Sequence, residues 1–426
     1  MQKFVNFLEN NLSGPMARLS EQRHLQAIRD GVISALPFII VGSFFLILAF
    51  PPLPDGGIFG DIKQWAADNI VEILIPYRLT MFIMSLYIAF GIGYNLSKSY
   101  NLDPLSGAQI SVAALLLTIT PKVMDGEGWV LPMTNLGGHG LFVAMVVSIL
   151  AVEILRFCKT KNITIKMPEQ VPASVSRSFE ALIPVAIVII LVSSITVLAG
   201  VDLHHIVGVA VAPLVTAGDS IFGVLVPVFL IDFFWSFGIH GVSVVGTVAR
   251  PLWEVFLVNN ADAVASGNPI PHIAPETFYQ WFIWIGGSGA TLGLVLAMVF
   301  FARSKYLKAL GKTCLVPGVF NINEPIIFGA PIVLNPILII PFITVPLITA
   351  TISYVATTVG LVSPTYIMPP WTLPAPIGAY LATGGDWRAI VMVLINIGIS
   401  FAIYFPFLKM YDKKMLKMEE NEQQAA

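Results

Sequence analysis

The chain has 426 residues, of which 56% are hydrophobic and only 11% are charged. A soluble domain carries about 25% charged residues, so this composition excludes a soluble globular protein and predicts a multi-pass membrane protein. The formal net charge of −2 offers no basic face, and we expect no nucleic-acid partner. The two cysteines have no metal-ligand spacing, so neither a metal site nor any other cofactor is expected.

Five transmembrane spans are predicted in the first half of the chain. A bilayer core about 30 Å thick needs about 20 apolar residues per helix. Windows of this kind lie at 31–50, 76–96, 105–121, 139–157 and 180–200. The first 29 residues contain no apolar core of about 7–15 residues, so we expect no cleavable signal peptide.

The second half is less regular. Two stretches rich in proline and glycine, 311–336 and 361–386, cannot form ordinary helices, and at membrane depth they are tolerated only inside protein or beside a wet cavity. We therefore predict two re-entrant hairpins. The remaining predicted spans are 206–231, an interrupted 232–258, 277–302, 337–360 and 387–408. The expected fold is an all-α polytopic membrane protein with about ten transmembrane helices.

Positive charges indicate the orientation of the chain. Lysine and arginine cluster in four segments, namely 1–29, 156–177, 303–312 and the tail after Leu408. Cytoplasmic loops are enriched in these residues, so all four segments and both termini are placed in the cytoplasm. The charged tail, 410–426, is expected to be frayed.

The hairpin GKTCLVPGVFNINEPIIFGAPIVLNP at 311–336 contains the carboxylate Glu324. A charge at the bilayer centre costs about 2.5–3.5 kcal/mol on insertion scales, so an intramembrane carboxylate indicates a functional site. The alternative is a carboxylate that caps a half-helix or pairs with a structural cation. Asn321 and Asn323 flank Glu324 and are predicted to donate to and accept from hydroxyl groups, as a sugar ligand requires.

His240, in the segment WSFGIHG, is a second candidate. A lone histidine is more often a packing residue than a reacting group, and that alternative stays open. Gly238 and Gly241 allow a ligand or backbone to approach closely. Together with Glu324, His240 would form an acid/base pair able to accept from and donate to one hydroxyl.

Aromatic and charged residues near these candidates have two interpretations. Trp235 and Trp371 could stack on a sugar ring, or they could anchor the chain at the membrane interface. Arg250 could bind a negative group, but Glu254 lies four residues later, and a structural pair between them is favoured.

Four motifs resemble the membrane subunit, the IIC component, of bacterial sugar phosphotransferase systems of the lactose/cellobiose/chitobiose family. They are SVSRSFEALIP at 174–184, SFGIHG at 236–241, GGSGATLGL at 286–294 and NINEPIIFG at 321–329. The resemblance implies a homodimer in the bacterial cell membrane. Residues 1–178, with four spans, and 179–205, with the fifth, would form the dimerisation half. Residues 206–409 would form the sugar-binding half with both hairpins.

The resemblance also implies a mechanism. Glu324 and His240 would hold the 6-hydroxyl of a disaccharide, and Asn321, Asn323, Trp235, Gly241 and Trp371 would complete the sugar site. A phosphocysteine on a separate IIB protein, itself supplied by IIA, would deliver the phosphoryl group. No stretch of this chain resembles IIB or IIA, so both are expected in trans.

Two other functions are considered. In a proton-coupled sugar transporter, Glu324 and His240 would relay the proton, because intramembrane carboxylates mark such pathways. In a sugar sensor, the protein would bind the sugar without moving it.

Overall fold

The computed structural model describes residues 21–168 and 170–425. The first 20 residues of the predicted N-terminal cytoplasmic segment lie outside this part of the chain. The regular secondary structure of the described chain is helical apart from one short β-hairpin, in which β1 (Lys122–Met124) pairs antiparallel with β2 (Gly128–Val130). The predicted class, a helical polytopic membrane protein, is confirmed.

The α-helices of the described residues are, in chain order, α1 (Arg23–Ala49), α2 (Gly57–Asp68), α3 (Ile70–Ile73), α4 (Ile75–Arg78), α5 (Met84–Ser99), α6 (Pro104–Leu117), α7 (Leu141–Thr160), α8 (Ala173–Ser193), α9 (Leu203–Gly218), α10 (Ile221–Ser236), α11 (Gly241–Ala265), α12 (Glu276–Phe278), α13 (Leu292–Phe301), α14 (Lys305–Val319), α15 (Glu324–Gly329), α16 (Ile339–Thr358), α17 (Ala375–Ala382) and α18 (Trp387–Ala425).

Six helices of the described chain are long and apolar enough to cross a bilayer, and three bent helix pairs raise the number to nine. The predicted third span, 105–121, corresponds to α6, which is apolar but only 14 residues long. The count of ten spans therefore depends on α6 and stays a prediction.

Contacts between residues divide the chain into two compact units. One contains the described residues up to Gly42 together with Leu74–Thr216. Its core is formed by α5 to α8, and glycines let α5 and α6 approach closely, because a Cβ on Gly93 would overlap the backbone at Gly107. The other unit contains Ser43–Ile73 and the chain from Ala217 onward. The predicted division at 205/206 and the roles of the two halves remain predictions.

Two predicted spans are broken at unexpected places. The sixth, 206–231, is broken between α9 and α10, whereas the break at 237–240 lies within the span 232–258, which was predicted to be interrupted. The eighth, 277–302, is bent by 57°. At that bend Gly286, Gly287 and Gly289 adopt φ angles of 79°, 91° and 78°, a region that glycine enters without steric cost. A continuous helix was therefore the wrong expectation for both segments.

The first predicted hairpin is partly helical. α14 begins at Lys305 and continues to Val319, so Pro317 lies in its last turn rather than in an irregular loop. The chain then reverses at Asn321, whose φ angle is 61°, and α15 begins at Glu324.

The second irregular stretch, 361–386, contains α17 and ends at a turn that the Asp386 side chain holds. The Asp386 carboxylate accepts from the Ser363 N–H at 2.8 Å and from the Arg388 side chain at 2.8 Å. Burial acts to raise the pKa of Asp386, but the hydrogen bonds from Arg388 and Ser363 outweigh it and lower that pKa below its ordinary value.

The charged C-terminal tail is not frayed as expected. It continues α18 without a break to Ala425. Asp412 and Glu419 hold it, because their carboxylates accept hydrogen bonds from the backbone that starts α14.

Candidate functional site

Six of the residues predicted from the sequence line one cavity of about 140 Å³, in the unit that contains the chain from Ala217 onward. They are Trp235, His240, Asn321, Asn323, Glu324 and Trp371. They come from α10, the 237–240 break, the turn before α15, the first residue of α15 and the irregular stretch before α17. The fold thus brings together residues up to 136 positions apart in the sequence.

Gly241 is the predicted site residue that lies outside this wall. It is the first residue of α11 and is buried, and a Cβ there would overlap the backbone of Ile231. The structure thus gives Gly241 a packing function, and its contact with substrate stays a prediction.

His240 is held by the helix that it starts. Its Nδ1 accepts a hydrogen bond from the Ser243 backbone N–H at 3.1 Å, so it caps α11. A neutral imidazole that accepts at Nδ1 carries its proton on Nε2. The Trp235 ring packs against the imidazole of His240, and the centroids of these two rings are 4.4 Å apart. His240 therefore offers an N–H donor to a ligand.

Glu324 is exposed in the cavity as the first residue of α15. Within the described residues its carboxylate has neither a hydrogen-bond partner nor an ion-pair partner. The alternative that it pairs with a structural cation thus has no support in this part of the chain. An unpaired carboxylate is free to accept a hydrogen bond from a substrate hydroxyl.

Asn321 and Asn323 use their amides on the protein backbone. Asn321 Oδ1 accepts from the Gly286 N–H at 3.0 Å, and its Nδ2 donates to the carbonyl oxygens of Trp371 and Leu373 at 3.2 and 3.1 Å. Asn323 Nδ2 donates to the Ser288 carbonyl at 2.6 Å. These bonds join the turn that precedes Glu324 to residues 286–288 and to residues 371–373. Direct contact of either amide with a sugar stays a prediction.

The glycine loop 286–290 is held by side chains from several elements. Asp232, fully buried on α10, accepts from the Gly289 N–H at 2.9 Å, and Tyr404 donates to the Gly289 carbonyl at 2.7 Å. Ser400 donates to the Ala290 carbonyl at 2.6 Å. Buried backbone groups outside a helix need such partners. The loop can therefore line a cavity without being a regular element.

Six further residues line the cavity and were not predicted as sugar-site residues, namely Val242, Arg250, Gln280, Trp284, Gly287 and Ser288. Of these, Arg250 was predicted to pair with Glu254. Four of them flank or belong to the bent eighth span. The three glycines at 286, 287 and 289 were the available signal, because glycine lowers helix stability by about 1 kcal/mol per residue.

Arg250 does not form the expected pair with Glu254. Its Nη2 lies 3.5 Å from Glu276 Oε1, across from α11 to the start of α12. Glu254 is 1% exposed, and its Oε2 has no hydrogen-bond partner among the described residues. The Arg250 side chain also lines the cavity, and the i, i+4 spacing did not decide its partner.

Gly287→Ala is expected to reduce sugar affinity at least tenfold. Gly287 has φ 91°, and a Cβ would overlap the Asn323 side chain, which would be displaced from Ser288. The matched control is Gly267→Ala, at φ 69° with nothing within 4 Å of the added Cβ. Calorimetric titration of both variants with cellobiose measures the difference. Equal affinities would show that the Asn323 contact does not shape the cavity.

The chain is similar to known proteins over most of its length. The family model described as "Phosphotransferase system, EIIC" matches residues 29–346. The cellobiose-specific EIIC component of Geobacillus stearothermophilus is 43% identical, over 99% of this chain and 97% of its own. The lichenan permease IIC component of Bacillus subtilis (strain 168) is 42% identical, over 99% and 96%.

A solved structure is similar in both sequence and fold. The crystal structure of the transporter ChbC, the IIC component from the N,N'-diacetylchitobiose-specific phosphotransferase system, is 39% identical. The two structures superpose with a TM-score of 0.89, over 97% of this chain and 99% of that one.

Proposed function

Because the chain belongs to the EIIC family of the phosphotransferase system, we propose that it imports a β-linked disaccharide of the cellobiose or chitobiose type and presents the sugar's 6-hydroxyl for phosphorylation. The relatives named for cellobiose, lichenan and diacetylchitobiose support this class of sugar. The lipid bilayer surrounds the protein, and the IIB and IIA components of the system are its protein partners.

The observation that carries the proposal is the shared cavity of His240 and Glu324. His240 offers a donor and Glu324 an acceptor, which together match a hydroxyl group that both accepts and donates. The indoles of Trp235 and Trp371 lie in the same wall, and aromatic faces suit the apolar faces of sugar rings. The pair would therefore orient one hydroxyl, while the tryptophans would hold the ring.

In the proposed reaction, the 6-hydroxyl oxygen attacks the phosphorus of the IIB phosphocysteine. An O–P bond forms, the S–P bond breaks, and the hydroxyl proton passes to the Glu324 carboxylate. Phosphoryl transfer depends mostly on positioning and on electrostatic stabilisation. The chain itself forms no covalent intermediate.

The proposed topology brings the donor to the cavity. The cations of 303–312 lie at the start of α14, which leads directly to the Glu324 turn. With both termini in the cytoplasm, this end of the hairpin faces the IIB protein. The half formed by residues 1–205 would carry the contact of a homodimer.

A proton-coupled transporter that uses Glu324 and His240 as a relay is not favoured, because the matching family and relatives belong to phosphotransferase systems. A sugar sensor is disfavoured for the same reason.

Membrane vesicles containing the chain are expected to accumulate phosphorylated sugar only when phosphoenolpyruvate and the soluble partner proteins are supplied. Radiolabelled cellobiose and chromatography of the vesicle contents provide the measurement. Accumulation of free cellobiose without the partners would overturn the proposal. Titration of the purified protein with cellobiose, diacetylchitobiose and lactose then identifies the preferred sugar.

A further inference from the structure

The C-terminal end of α18 contacts the start of the helix that leads to Glu324. Asp412 is 3% exposed, and its Oδ1 accepts from the Ser304 N–H at 2.9 Å and from the Arg303 N–H at 3.1 Å. Seven residues later, on the same helix face, Glu419 continues these contacts. Its Oε1 accepts from the Tyr306 N–H at 3.0 Å, and its Oε2 accepts from the Lys305 N–H at 3.2 Å.

These bonds complete the N-terminus of α14. The first backbone N–H groups of a helix have no partner within the helix and need external acceptors. Ser304 Oγ accepts from the Leu307 N–H at 3.2 Å and donates to Glu419 Oε1 at 2.6 Å. Negative charge at this end also interacts favourably with the dipole of α14. We call the carboxylates of Asp412 and Glu419 with their backbone partners the C-terminal clamp.

A second contact, a hydrogen bond, links α14 directly to α15. The Tyr306 hydroxyl, in the first turn of α14, donates to the Gly329 carbonyl at 2.7 Å. Gly329 ends α15, and a Cβ there would overlap Leu310 of α14, so the two helices pack closely. Glu324 is the other end of this six-residue helix. A shift at Tyr306 would therefore move Glu324.

We propose that Asp412 and Glu419 are positioning residues for the phosphoryl-transfer reaction, acting through α14, Tyr306 and α15 on the Glu324 carboxylate. This inference rests on the proposed function, since it assigns Glu324 to the sugar hydroxyl. None of the clamp residues lines the cavity. A misplacement of about 1 Å in a reacting group can cost about 100-fold in rate, so such distant residues can control turnover.

Glu419→Ala is expected to lower kcat for sugar phosphorylation about tenfold, while KM for the sugar stays within about threefold. An interaction needed mainly in the transition state changes kcat rather than KM. Glu419→Gln keeps one amide oxygen as an acceptor and is expected to restore part of the rate. The assay uses the full chain in nanodiscs with phosphorylated IIB and cellobiose, and kcat is counted per sugar-binding site, so unfolded molecules do not contribute.

Tyr306→Phe tests the next step without touching the cap. It removes only the hydroxyl contact with Gly329, and it is expected to lower kcat with little change in stability. In both Glu419→Ala and Tyr306→Phe, hydrogen–deuterium exchange should become faster in residues 305–329 and stay unchanged in α16. Glu420→Gln, an exposed neighbour on the same helix, is the matched control and should leave kcat and exchange as in the wild type.

If both Glu419→Ala and Tyr306→Phe had the wild-type kcat per binding site, the proposal that the clamp positions Glu324 would be wrong. The role of Glu324, through which the clamp would act, has a separate test in Glu324→Gln, and the vesicle assay tests the proposed function itself. If that variant phosphorylates the sugar at the wild-type rate, the role of Glu324 fails, whatever the clamp variants show. If it is inactive while both clamp variants turn over normally, the clamp alone fails.

Discussion

Glu324→Gln is expected to lower sugar phosphorylation by about 10²–10⁴-fold, because it removes the group proposed to accept the hydroxyl proton. Glutamine is nearly isosteric with glutamate, and Glu324 has no hydrogen-bond or ion-pair partner among the described residues, so the fold should be retained. Phosphorylation by purified IIB, measured at saturating sugar, checks the rate. Thermal unfolding of the same preparation checks the fold.

The matched control for this variant is Glu127→Gln. Glu127 is an exposed carboxylate between β1 and β2, in the unit that does not contain the cavity. It should phosphorylate sugar at the wild-type rate. A Glu324→Gln protein with full activity would remove the carboxylate from the mechanism.

Arg250→Met is expected to destabilise the protein by about 3–5 kcal/mol, the usual cost of leaving a buried charge without its partner. Glu276 would lose its cation at 3.5 Å, and Glu254, only 1% exposed, would remain beside it. Sugar affinity should fall as well, because Arg250 lines the cavity. Unfolding in detergent and sugar titration measure the two effects.

Arg177→Met provides the comparison. Arg177 also lies 3.5 Å from its carboxylate partner, Asp103, but 53% of its side chain is exposed. Exposed pairs contribute about 0–1 kcal/mol, so stability should change little. Equal destabilisation by the two substitutions would show that the burial of Arg250, Glu254 and Glu276 does not increase the contribution of Arg250 to stability.

Glu324 and His240 could be selected as candidates from the sequence because their signals are local. An unpaired carboxylate between asparagines and prolines at membrane depth is rare, and it led to the cavity that contains Glu324. His240 was found through the neighbouring glycines. Both residues lie where helices begin, and composition there departs from that of a regular span.

The rest of the wall could not be derived in this way. Ser288 and Gly287 belong to a loop whose shape depends on Asp232 and Tyr404, which are 172 residues apart in the sequence. The two asparagines were predicted as sugar ligands from their residue type, and the structure shows their amides on backbone groups of other segments. Such long-range hydrogen bonds leave no periodic pattern.

The C-terminal tail shows a similar limit. Its charge pattern suggested a frayed end, since lysine and glutamate are common in solvated segments. Asp412 and Glu419 are instead held by the backbone of 303–306. An acidic residue facing a distant helix N-terminus cannot be told from a solvated one by sequence alone.

The central claim is that Glu324 binds the 6-hydroxyl of the sugar. Its most direct test compares the affinities of cellobiose and of cellobiose lacking the 6-hydroxyl of its non-reducing ring, in the wild type and in Glu324→Ala. A hydrogen bond to a charged group contributes about 1.5–3 kcal/mol, so removal of the hydroxyl should weaken wild-type binding about 10–100-fold. The account predicts that this difference disappears in Glu324→Ala. The same difference in both proteins would contradict it.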